Sequence, residues 1–102
     1  MIDANTALNQ LAQANNGINR LVAMIGAKNF AKDENSVSFR FPSKARNKAN
    51  YFKLILKVDD TYSAEFGYIR SMNYTVRSEV EGLYFDQLKE YFENETGLYL
   101  SL

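Results

Sequence analysis

Four stretches of this chain alternate in polarity with a period of two, and only turn-forming residues and one polar loop separate them. In Ser36–Phe41, Val37, Phe39 and Phe41 alternate with Ser38 and Arg40; in Asn50–Val58, Phe52, Leu54, Leu56 and Val58 alternate with Tyr51, Lys53, Ile55 and Lys57. Tyr62, Ala64, Phe66 and Tyr68 share one face of Thr61–Arg70, and Tyr74, Val76 and Val80 one face of Tyr74–Glu81. Successive side chains of a pleated strand point to opposite faces, so such segments must become strands with one face buried. The connections Asp59-Asp60 and Ser71-Met72-Asn73 are too short for crossovers, which leaves an antiparallel meander. Lys28–Lys32, joined to the first of these through the tetrad Lys32-Asp33-Glu34-Asn35, completes a sheet of about five strands. The alternation puts Phe39, Phe52, Leu54, Leu56, Phe66 and Val76 on the covered face and Arg40, Lys53, Lys57, Glu65, Arg77 and Glu79 on the other.

Something must cover the apolar face, and both ends of the chain switch to helical spacing. Ala7, Leu8, Leu11 and Ala12 recur as on a helix with Thr6 or Asn5 as its N-cap. Asn15-Asn16-Gly17 interrupts it, and Ile18, Leu21, Val22 and Ile25 resume the period until Gly26. After Gly82, the stripe Tyr84, Phe85, Leu88, Tyr91 and Phe92 predicts a long C-terminal helix stopping at Thr96-Gly97, and Leu98–Leu102 is expected to dock. The expectation is an α+β two-layer sandwich: an N-terminal helical hairpin, an antiparallel sheet and a C-terminal helix forming a single domain over residues 1–102.

The residue inventory narrows the chemistry. The 102 residues include no cysteine and no histidine, which removes disulfides, thiolate and imidazole metal sites and the histidine-based nucleophile systems. The five glycines are dispersed, so no phosphate-cradling loop exists, and no cofactor is expected. Gly67, inside a strand, signals a bulge or the close approach of another backbone, that of a partner chain or of the N-terminal helix. Binding rather than catalysis is the expectation. No apolar run reaches membrane-spanning length and the start MIDANTALNQ lacks a secretory pattern, so the expected location is the cytoplasm, without membrane contact.

Charge supplies the candidate surfaces. Phe39–Lys57 holds six of the 12 basic residues between aromatics, with no carboxylate. Most of that interleaving is strand periodicity, since the phenylalanines face inward. What remains is Lys44, Arg46 and Lys48 on the polar, mobile-looking loop SKARNKAN, with Arg40, Tyr51, Lys53 and Lys57 on the adjoining sheet and Arg77 beyond. At the other end Glu79, Glu81, Asp86, Glu90, Glu93 and Glu95 are accompanied only by Lys89. Such polarity suits a protein partner met through Asp86, Glu90 and Glu93 or through the basic loop, a head-to-tail homodimer, or nucleic acid bound over 40–57. The zero net charge disfavours a dedicated nucleic-acid binder.

Four segments, IGAKNF, SFRF, TYSAEF and EGLYFDQLKEYFENETGLYLSL, together resemble short uncharacterised accessory proteins of tailed bacteriophages and prophages, from about Ile25 to Leu102. The resemblance assigns no role to any residue. It implies a class: small non-enzymatic phage proteins that bind a host or viral macromolecule, inhibitors of host defence such as anti-CRISPR proteins among them, acting in the host cytoplasm.

Overall fold

The four alternating segments and Lys28–Lys32 form five antiparallel strands paired in chain order: β1 (Lys28–Lys32), β2 (Ser36–Arg40), β3 (Tyr51–Leu56), β4 (Tyr62–Arg70) and β5 (Asn73–Leu83). A computed structural model describes residues 3–42 and 44–100. Three nine-residue helices, α1 (Ala4–Ala12), α2 (Gly17–Ile25) and α3 (Leu88–Thr96), complete an α+β fold with the N-terminal helical hairpin and C-terminal helix expected. Among the described residues, no helix is long and apolar enough to cross a membrane.

Register fixes the covered face. Phe39 lies opposite Phe52 and Phe52 opposite Phe66, so three strands deliver phenylalanines to one row. Phe92 of α3 sits on that row, its ring centroid 5.0 Å from Phe52, 5.4 Å from Phe66, 5.8 Å from Phe41 and 6.2 Å from Phe39. Tilted and edge-on pairs at these separations are the geometry aromatic quadrupoles favour. Leu8, Leu11, Leu21, Leu54, Leu88 and Leu100 are fully buried around the same core. The Tyr62 hydroxyl donates to Gln10 Oε1 at 2.8 Å, fastening α1 to β4.

The local chemistry of the helix ends departs from expectation at α1. Its N-cap is Asp3, one turn-start earlier than Asn5 or Thr6, because the Asp3 carboxylate accepts the Thr6 N–H at 3.2 Å. That hydrogen bond holds the Asp3 carboxyl below its ordinary pKa. α1 and α2 meet closely at Gly17, where an added Cβ would stand 2.4 Å from the Leu8 carbonyl carbon. The Asn9 side chain accepts the Gly17 N–H at 2.7 Å across that contact.

The C-terminal helix is shorter than its sequence stripe. β5 runs to Leu83, a 3-10 turn occupies Phe85–Gln87, and Tyr84 and Phe85 are exposed, leaving Leu88 and Phe92 fully buried and Tyr91 half-buried. The tail beyond it does dock: Leu100 is buried and its N–H donates to Glu93 Oε2 at 2.8 Å. Ser101 and Leu102, part of the same expectation, lie outside the described residues, as does Ser43 at the start of the basic loop.

Val76 is a correction. It was expected under the helices but is 47% exposed, because β5 carries a bulge. Phe66 pairs with Ser78 whereas Gly67 pairs with Val76, so Arg77 is the extra residue. An inserted residue shifts the alternation by one and turns everything beyond it over. Tyr74 and Val76 therefore project from the uncovered face, and Arg77 from the helix side, the reverse of the expected order. A second shift in register, between Tyr62 and Ala64 opposite Gly82, returns Leu83 to the core side.

Candidate binding surface

The uncovered face of the sheet is built from rows set by register. One row runs Ser38, Lys53, Glu65, Glu79 across β2 to β5, so Lys53 lies directly across from a carboxylate. The next row runs Arg40, Tyr51, Gly67, Val76. Tyr74 lies over that row: a Cβ on Gly67 would stand 2.1 Å from Tyr74 Cε1, so the glycine is the space the ring occupies. The Tyr74 ring meets Tyr51 edge-on at 5.6 Å and its hydroxyl donates to Glu65 Oε2. Burial, followed by that hydrogen bond, pushes the Tyr74 phenol above its ordinary pKa. Tyr74 remains 44% exposed, with half-buried Ile69 paired to it across the strands. The result is an aromatic and aliphatic patch of Tyr51, Ile69, Tyr74 and Val76, with Arg40 and Lys53 beside it.

The basic loop is pinned rather than loose. Ala45 and Ala49 are buried, and the Arg46 N–H donates to the Thr96 carbonyl at 2.6 Å. Asn50 exchanges two hydrogen bonds with the Ile69 backbone, 2.9 Å as donor and 2.8 Å as acceptor, and Asn47 Nδ2 donates to Ser78 Oγ at 3.4 Å. Arg46 also donates from Nη1 to the Asn94 carbonyl at 3.4 Å, so its cation serves the C-terminal end of α3, where a positive charge meets the helix dipole. Lys44 and Lys48 stay exposed.

The sequence candidates divide accordingly. Arg40, Tyr51 and Lys53 come together on the uncovered face. Lys57 stands at the opposite end of β3 from the loop, beside Asp59, whose carboxyl it helps hold down after the hydrogen bonds from Thr61. Arg77 moves to the helix side, its guanidinium 5.4 Å from the Tyr68 ring centroid. Asp86 and Glu90 are exposed, whereas Glu93 is spent on Leu100. Tyr74, Val76, Ile69 and Arg70 were not among the candidates. The signal for the first three was Gly67, the in-strand glycine that marks the bulge.

Among the described residues, no group of three or more carboxylates is placed to hold a metal ion. Comparison with protein-family models, curated proteins and solved structures finds no match. What the surface can do is therefore read from its own chemistry.

Proposed function

We propose that this chain is a non-catalytic binding module whose partner is a protein, met through the uncovered sheet face around Tyr74. One observation carries the reading: a half-exposed tyrosine, fixed by a glycine seat, an edge-on aromatic contact and a carboxylate, stands in an apolar patch on the sheet face opposite the helical layer. Preorganised aromatic side chains lose little rotamer entropy on docking and dominate protein interfaces when water is excluded around them. Arg40 and Lys53 beside the patch suit a partner whose apolar pocket is rimmed by carboxylates. The resemblance to phage accessory proteins supports a host or viral protein as that partner and inhibition of a host defence system, in the manner of anti-CRISPR proteins, as the outcome.

The test uses the tagged full chain as bait in bacterial host lysate beside a Tyr74→Ala/Val76→Asp variant of matched thermal stability. A protein retained by the first and lost from the second, whose co-expression with the chain restores phage plating on a defended host, is the expected result. Retention that ignores the double substitution, or no retained protein at all, sinks this reading.

A further inference from the structure

Past Gly67 the β4–β5 hairpin leaves the helical layer, and every residue from Arg70 to Arg77 is exposed. Its turn is tight: Arg70 pairs with Asn73, while Ser71 and Met72 both take left-handed backbone angles, φ 49° and 67°, without a glycine. Met72 at the tip is wholly exposed. On the helix side, Tyr68, Arg70, Ser71, Asn73, Thr75 and Arg77 line one open cleft. Each of the six side chains can donate a hydrogen bond, and two are guanidinium groups. No Asp or Glu occurs from Phe66 to Ser78. The two Asn50 bonds to Ile69 set the loop carrying Lys44 and Lys48 beside this hairpin, so four exposed cations gather at one end of the molecule.

We infer that the helix-side face of this hairpin is a binding site for the phosphate backbone of duplex DNA, a second surface distinct from the patch around Tyr74. A two-stranded ribbon is an element that a major groove, about 12 Å wide, admits. Arg70 and Arg77 stand about three residues apart along it, roughly 10 Å at 3.3 Å per residue, far enough to take separate phosphates. A single carboxylate would engage one guanidinium; a row of donors flanked by lysines matches an anion that repeats. The zero net charge of the chain is an average over two ends and does not describe this one.

Fluorescence anisotropy with a labelled duplex of about 20 base pairs tests the site on the full chain. If Arg70, Arg77, Lys44 and Lys48 each neutralise a phosphate, affinity falls about fifty-fold between about 0.05 and 0.15 M salt, and R70A/R77A reduces that to about sevenfold while weakening binding. Tyr74→Ala, on the opposite face, removes the central ring of the patch without adding a carboxylate beside Arg77 and leaves DNA binding unchanged, which keeps this result separate from that of the protein-capture experiment. The inference is overturned by absence of association at about 0.05 M salt. It is also overturned by binding that R70A/R77A does not alter, which would assign the contact to the loop alone. Equal competition by a polyglutamate peptide would replace DNA with an acidic protein.

Discussion

At the scale of single residues, two glycines define what approaches them. Gly17 gives α1 and α2 their close crossing, and Gly67 seats the Tyr74 ring. Replacing Gly67 by Ala forces the ring off, with loss of the edge-on contact to Tyr51 and of the bond to Glu65. The expected cost is about 1 to 3 kcal/mol. In a Tyr74→Ala background the ring no longer occupies the seat, and the same substitution should become neutral or gain up to about 1 kcal/mol, since alanine restricts the unfolded chain more than glycine does. A double-mutant cycle by chemical denaturation reads the difference directly; equal costs in both backgrounds would mean that the ring is not what the glycine accommodates.

At the scale of elements, periodicity revealed the strands and missed the points where strands break their own period. β1, β2 and β4 fall within a residue of their sequence bounds, because alternating burial and short polar turns are local properties. The bulge at Arg77 is not local: which β5 residue is left unpaired is decided by how Phe66 and Gly67 meet it across the strands. Val76 and Arg77 therefore changed faces, and the aromatic patch went unseen, although Gly67 signalled the bulge that creates it. The long C-terminal helix was overdrawn for a related reason. Tyr84 and Phe85 fit a helical stripe, but β5 continues to Leu83 and leaves their side chains in solvent. Arg46 looked like a free cation because the acceptor of its guanidinium, the Asn94 carbonyl, lies 48 residues away in sequence. The tail was legible, since leucines at alternate positions gain only from burial. Leu100→Ala should cost about 2 to 5 kcal/mol, whereas Tyr99→Ala, on an exposed neighbour, should stay within about 0.5 kcal/mol. Equal melting temperatures for the two variants would show that the tail does not close the core.

At the scale of the whole molecule, a formally neutral chain is strongly partitioned. Segments 39–58 and 66–78 hold Arg40, Lys44, Arg46, Lys48, Lys53, Lys57, Arg70 and Arg77 and no carboxylate. Folding brings the loop of the first segment beside the hairpin of the second through Asn50, an organisation that neither segment displays alone. Both sheet edges carry features that discourage pairing with other strands: β1 has Lys28, Lys32 and a bulge beyond Lys28, and β5 has Glu79, Glu81 and two bulges. Irregular, charged edges block the extended pairing through which sheets aggregate.

The strand order β1-β2-β3-β4-β5 has a kinetic consequence. Every pairing closes a loop between neighbours in sequence, so the sheet can zip progressively at little entropic cost, whereas the bonds that attach the helical layer, Gln10 to Tyr62 and Arg46 to Asn94, join distant residues. The transition state for folding should then contain the β2–β4 pairings and lack the docked tail and α1. Phe52→Leu should slow refolding in proportion to its destabilisation, while Leu100→Ala and Gln10→Ala should act almost entirely by accelerating unfolding. Stopped-flow chevrons in which Leu100→Ala slows folding as much as Phe52→Leu would reverse that order of assembly.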